Sequence, residues 1–375
     1  MRILHISKYY YPYRGGVETV CQDLAESSKR KGDEVAVICF NDGRKSKTDD
    51  VNGITIYRVG ALITVARQAL SLSYYHKMKK VISDFKPDII HFHWANPFPA
   101  ALLLMIIPKD VKLVVHWHMD IIKQKTIYKF IKPVETRLLK RADRILVTSP
   151  LYMDYSIPLQ QYKNKIDVVA NAIRSENFDI RSGDEEKIKE IRQKYDNKDI
   201  VFFIGRHVMY KGLPYLLEAE KKVKSDCVFV IAGKGPLTEE LMASCKADRV
   251  HFIGRISDDE LRQYLYASKI FAFPSITKNE AFGIALAEAM YCGTPAVTFH
   301  IEGSGVNWVS QKDITCLEVP NKDTTAYANA IDRMLNDEDL YDRLSENGMK
   351  RVRENFLIDN MVKSCYDSYE KVMKI

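Results

Sequence analysis

Residues 200–212 read Ile200-Val201-Phe202-Phe203-Ile204-Gly205-Arg206-His207-Val208-Met209-Tyr210-Lys211-Gly212. An apolar run of β-branched and aromatic residues stops at a glycine, and a turn carrying two cations leads into a helical stretch. That is a strand, a turn and the start of a helix, the repeating unit of a parallel sheet. Downstream the unit recurs at residues 228–231, 250–253, 270–273 and 295–299. Upstream a separate series runs at 3–6, 35–40, 54–59, 89–93, 113–115, 145–148 and 166–169. Two series predict two doubly wound, Rossmann-like α/β domains facing across a cleft, residues 1–172 and 173–355. The polar stretch 171–199, with Arg181-Ser182-Gly183-Asp184, reads as the linker and the first helix of the second domain. The last helix, about 356–375, is free to pack back on the first domain.

The 375 residues suit two cores, and 46% hydrophobic with 28% charged residues is a globular composition. No apolar run is long enough to cross a bilayer, and the first residues lack the pattern of a signal peptide, so a cytoplasmic protein is expected. Seven scattered cysteines without a C-x-x-C pair favour reduced thiols over a disulfide framework or a zinc site. The charge is lopsided. Residues 1–175 hold 28 Lys+Arg against 16 Asp+Glu, whereas residues 176–375 hold 28 against 33.

Ligands of open α/β sheets bind at the carboxyl ends of strands, so the loops after the runs carry the chemistry. After the first run, Gly15-Gly16-Val17-Glu18 opens a helix, and paired glycines there admit an anion to backbone N–H groups; a tight strand-to-helix turn is the plainer alternative. Arg206 and Lys211 can turn toward one diphosphate and stabilise charge on a departing nucleotide. Gly233-Lys234-Gly235 and Gly254-Arg255-Ile256 follow the next two runs. These glycine-bearing loops on one strand edge, with Gly233, Arg255 and Ile256, are where a nucleotide could lie against exposed backbone; each is also a turn in its own right. The fourth loop holds Glu280-Ala281-Phe282-Gly283-Ile284 and, further on, Glu288. Here a helix is expected whose first turn is 282–284, with Glu288 about two turns inside. One carboxylate then suits sugar hydroxyls, the other a ribose, and the N–H groups between them suit phosphates. Glu280 is also an ordinary residue to find near a helix start. Glu288 is harder to explain away, because every neighbour is apolar.

Glu280-x7-Glu288 within Glu-Ala-Phe-Gly and Gly293-Thr294-Pro295, with Gly-Arg-x4-Lys-Gly and the N-terminal Gly-Gly-Val-Glu, resembles the signature of the family 4 retaining glycosyltransferases of GT-B fold. The resemblance spans the chain. It implies a hexosyltransferase that moves a sugar from a nucleotide-diphosphate donor, without a metal or other cofactor. Arg206 and Lys211 would hold the diphosphate, Glu288 the ribose, Glu280 the hexose and Gly16 the distal phosphate. His118, in His116-Trp117-His118-Met119-Asp120, matches the family histidine near the donor sugar. The stretch Gly303-Ser304-Gly305-Val306-Asn307-Trp308-Val309 resembles a subset that builds bacterial surface polysaccharide, which favours GDP-mannose over a UDP-hexose and a glycan or polyprenyl-linked acceptor. Asp337-Glu338-Asp339 reads as solvated surface and not as a metal-binding Asp-x-Asp.

Other residues keep two readings. His116 reads as a core residue, and His91 and His93 as core or as the lining of the acceptor side. Asp120 is the nearest carboxylate for a covalent intermediate, against front-face attack with the leaving phosphate as base. Between 121 and 144, eight Lys+Arg face two acidic residues and are interleaved with Ile122, Ile127, Phe130, Ile131, Leu138 and Leu139. That segment suits peripheral contact with an anionic membrane, or a solvated helix over a core stripe. Nucleic acid is not an expected partner, since no recognition motif is present and the second half is acidic. A nucleotide-sugar epimerase and a non-catalytic sugar-nucleotide-binding module are the alternatives from other classes.

Overall fold

The computed structural model describes residues 1–13, 15–65, 68–121 and 125–374, without the side chains of 64, 65, 68 and 125–127. It divides into two compact units, Met1–Asn171 with Ile358–Ile375, and Ala172–Leu357.

In the first unit the strands are β1 (Arg2–Ile6), β2 (Glu34–Phe40), β3 (Lys47–Val51), β4 (Ile54–Val59), β5 (Ile63–Val65), β6 (Gln68–Leu70), β7 (Ile89–Trp94), β8 (Lys112–Trp117), β9 (Arg144–Val147) and β10 (Ile166–Val168). Eight of them form a sheet in the order β10-β9-β8-β7-β1-β2-β4-β3, while β5 and β6 make a separate hairpin. Every pair in the large sheet is parallel except β3 against β4. Helices cover the sheet, so its central strands are buried on both faces and read as almost unbroken apolar runs. The chain order reverses between β1 and β7, and this switch point opens a crevice at the strand ends.

The second unit holds β11 (Asp199–Ile204), β12 (Cys227–Ala232), β13 (Val250–Gly254), β14 (Ile270–Phe273), β15 (Ala296–Phe299) and β16 (Cys316–Val319). They form one parallel sheet, β13-β12-β11-β14-β15-β16, with its switch point between β11 and β14. Gly183, at φ +87°, caps the helix Asp184–Lys194. The buried Asp184 carboxylate receives the Arg262 guanidinium at 2.8 and 3.1 Å, which holds its pKa well below the usual carboxylate range. The second unit closes on itself where the chain enters and leaves it, with Ile173 N donating to Phe356 O at 2.8 Å.

Four strands had no signal strong enough to predict. Lys47–Val51 is an edge strand of polar residues, and edges tolerate charge because one side faces solvent. The short β5, β6 and β16 have three or four residues each. All seven cysteines are free, six of them buried.

Candidate functional site

Both loops at the second unit's switch point carry the residues singled out above. The loop after β11 holds an exposed Arg206 and a half-buried Lys211. The loop after β14 holds Glu280, and its carboxylate pairs with the Lys211 ammonium. Both side chains are only 13% exposed. Ser304 Oγ donates to the Glu280 carbonyl, so the loop after β15 holds the acidic residue from behind. The backbone allows this crowding through one glycine in particular. Gly212 has φ +70°, and a Cβ there would stand 1.8 Å from Pro274 O, so only glycine lets the two loops touch.

The helix beyond Glu280 starts later than its sequence suggests. Gly283, at φ +87°, is its cap, and it runs over Ile284–Tyr291. Phe282 lies outside it with its ring packed edge-on against Trp308 and Phe356. This aromatic anchor fixes the loop from within, so Phe282 offers a ligand its N–H and not its ring. The N–H groups of Ala281, Phe282, Gly283 and Ile284 donate to no acceptor among the described residues, which leaves them for an anion. Glu288 sits one turn inside the helix, not two. Burial of its carboxyl, with the nearby Asp258 carboxylate adding to the effect and Lys211 opposing it, pushes its pKa up to about 7.

The glycines of the neighbouring loop also have a packing task. A Cβ on Gly233, at φ +107°, would stand 2.0 Å from Gly205 O, and one on Gly235 would stand 2.3 Å from His207 O. These glycines let loop lie on loop. His207, which the sequence did not single out, completes the joint: its Nδ1 meets Thr238 Oγ1 at 2.9 Å, and the same hydroxyl accepts from Gly235 N at 2.8 Å. Arg255 is exposed and Ile256 half-buried beyond the end of β13.

In the first unit, Gly15 is the extended cap of the helix Gly16–Arg30, and neither glycine needs a positive φ. Gly16 is exposed, and a Cβ there would meet nothing within 4 Å, so its backbone is open to an approaching group. Arg14 lies outside the described residues. His118 follows β8, 5% exposed, and burial lowers its pKa to about 3. His91 and His93 lie inside β7, not after it, and are wholly buried. They line no open surface, because both faces of this central strand are covered. Asp120 is committed to packing: its Oδ1 accepts from Trp117 Nε1 at 2.9 Å and from Ser156 Oγ at 2.7 Å.

The basic segment is a helix over Lys125–Arg141. Phe130 is 80% exposed, with Lys129 and Lys132 exposed beside it, but Leu138 and Leu139 turn into the core and leave the outward stripe. Ile122 and Lys123 lie outside the described residues, as do the side chains of Lys125 and Ile127. Among the described residues no helix is long and apolar enough to cross a membrane.

The profile described as "Glycosyltransferase Family 4" matches residues 14–177, and that described as "Glycosyl transferases group 1" matches residues 184–351. The chain belongs to the family 4 glycosyltransferases. It is 29% identical to the O-antigen chain mannosyltransferase C of Escherichia coli, over 100% of this chain and 99% of the other. It is also 29% identical to the D-rhamnosyltransferase WbpZ of Pseudomonas aeruginosa, over 95% and 92%. The solved sucrose-phosphate synthase from Thermosynechococcus elongatus superposes with a TM-score of 0.78 at 20% identity, covering 99% of both chains. That likeness shows the GT-B fold, and the two profiles and the two relatives support the glycosyltransferase reading over the epimerase and the binding module.

Proposed function

We propose that this glycosyltransferase moves a hexose with retention of configuration from a nucleotide-diphosphate donor to a glycan or polyprenyl-linked acceptor in surface-polysaccharide synthesis, using no metal. The meeting of Lys211, Glu280 and four free N–H groups at the switch point of the second sheet carries this reading. Arg206 and Lys211 hold the diphosphate, with the N–H groups of 281–284, the backbone of Gly15 and the open backbone of Gly16 as further phosphate donors. Glu288 accepts from the ribose hydroxyls, Glu280 binds the hexose, and His118 contacts it. Gly233, Arg255 and Ile256 border the nucleotide.

In this reading the bond from C1 to the diphosphate oxygen breaks, and the acceptor oxygen bonds to C1 on the same face. The acceptor proton passes to the departing phosphate, whose growing charge the two cations stabilise. The commitment of Asp120 to Trp117 and Ser156 supports front-face attack over a covalent intermediate on that residue. Similarity to a mannosyltransferase and a rhamnosyltransferase supports a manno-configured sugar, with GDP-mannose the first donor to try. The exposed Phe130 beside Lys129 and Lys132 supports peripheral contact with an anionic cytoplasmic membrane face.

A panel of sugar nucleotides, incubated with and without EDTA and analysed for transfer to lipid-linked oligosaccharide and for product anomer, is the test. Inverted product, or activity that EDTA abolishes and a divalent ion restores, would remove the corresponding part of the proposal.

A further inference from the structure

Five imidazoles share one face of the first unit's sheet. Alternation along a strand puts His91 with His93, and His116 with His118, on one side. Register pairs His5 with His91 and His93 with His116. All five rings are buried, and nitrogen atoms of His5, His91 and His93, and of His93, His116 and His118, lie within 4.8 Å of one another. Such a cluster could hold a metal ion or could be a chain of hydrogen bonds. The ring geometry favours the chain. His93 Nδ1 and His118 Nε2 stand 3.0 Å apart, the ring centres 5.3 Å apart and the planes within 7°. Nearly coplanar rings with centres that much further apart than their nitrogens meet edge to edge, with the nitrogens in line. His93 Nε2 and His5 Nδ1 repeat the arrangement at 3.2 Å, with centres at 5.5 Å. A proton fits between nitrogens that face each other, whereas a tetrahedral metal needs lone pairs converging at an angle.

The chain therefore runs from His118 through His93 to His5 and stops. His5 Nε2 is buried with no partner. Burial also keeps the rings neutral, lowering the pKa of His5 and His118 to about 3, so each carries one proton. The end of the chain sets its direction, because an unpaired buried N–H is harder to tolerate than an unpaired lone pair. His5 thus leaves Nε2 bare and donates from Nδ1 to His93, which donates from its own Nδ1 to His118 Nε2. His118 is left with its proton on Nδ1, a nitrogen with no acceptor among the described residues.

We propose that His93, backed by His5, is a positioning residue that locks His118 in the Nδ1–H tautomer and makes it a neutral hydrogen-bond donor to a hydroxyl oxygen of the transferred sugar. This rests on the reading that His118 meets that sugar. It deepens the reading, because a donor-only nitrogen accepts a sugar with an oxygen at the contacted carbon and disfavours its deoxy analogue.

The test is nitrogen NMR of the full chain labelled at histidine, with the His118 signals identified from their loss in His118→Gln. The ligand-free protein should show one His118 tautomer, protonated at Nδ1. His93→Gln, whose carboxamide can accept from His5 and donate to His118, should keep it. His93→Phe should give mixed tautomers and lower kcat/KM for the donor about tenfold, the effect of one weakened hydrogen bond. A proton on His118 Nε2, or mixed tautomers in the parent protein, would overturn the proposal, and both are read on the parent protein, whatever happens to the His93 variants. Titration with donor separates the two layers. The His118 Nδ1 signal should move with the intact donor and not with the bare nucleotide. A correct tautomer whose signal ignores the donor would reject the sugar contact while the tautomer assignment stands.

Discussion

The ammonium of Lys211 lies against the carboxylate of Glu280, so charge joins the loops after β11 and β14 at the switch point of the second sheet. Each group is the other's counter-ion. On the proposed reading, a donor diphosphate takes Lys211 at least partly from Glu280, which frees the carboxylate to accept from sugar hydroxyls.

This pairing predicts opposite effects on two ligands. Glu280→Gln removes the competitor for Lys211, so calorimetry should find bare nucleoside diphosphate bound several-fold tighter, while turnover of the intact donor falls. Lys211→Ala should lower turnover by about 10²- to 10³-fold, as for loss of a preorganised partner to developing charge. Equal weakening of nucleotide and donor by Glu280→Gln would show that the ion pair does not gate the site.

Glu288 predicts a pH dependence. Its pKa of about 7 lies above the usual carboxylate range, so the carboxylate proposed to accept from ribose becomes the main form only above about pH 7. Nucleotide affinity should rise from pH 6 to 8, and Glu288→Gln should flatten the rise. The folded protein holds this proton where the unfolded chain has lost it, so stability from this group is present at about pH 4.5 and lost as pH climbs through 7. Glu288→Gln should therefore raise Tm more at pH 8 than at pH 5, measured by scanning calorimetry.

Asp120→Asn keeps an oxygen for Trp117 and Ser156 but removes the charge. Turnover should stay within about tenfold of the parent, and Tm should fall, because hydrogen bonds to a charged group contribute about 1.5 to 3 kcal/mol. Complete loss of transfer with Tm unchanged would return Asp120 to the role of nucleophile.

Replacing Lys123, Lys125, Lys129 and Lys132 with Gln should release the protein from anionic vesicles in a sedimentation assay and spare donor hydrolysis in solution. Each cation near a bilayer contributes about 1 kcal/mol, screened over roughly 8 Å at physiological salt. A variant that sediments like the parent would leave the lysines as solvated surface.

The twelve apolar runs are all strands, and the loops that follow β11 and β14 hold the residues their spacing promised. Those signals are local: a strand, a glycine and a cation lie within a dozen residues. Less legible was anything that depends on a distant partner. Leu138 and Leu139 look like the rest of a basic amphipathic surface until the core claims them. Gly233 reads as a turn beside a nucleotide, and only the fold adds that Gly205 O lies 2.0 Å from where its Cβ would be.

By itself the sequence determined the two α/β series, the cations and carboxylates at the strand ends and the family, because periodicity and motif spacing are properties of short segments. Only the tertiary structure decided that Lys211 meets Glu280 and that His118, His93 and His5 become one hydrogen-bonded chain. Alternation tells which face of a strand His5, His93 and His118 occupy, but not which strands lie side by side. That order comes from how the crossover helices pack, and the direction of the protons follows from one buried nitrogen that finds no partner.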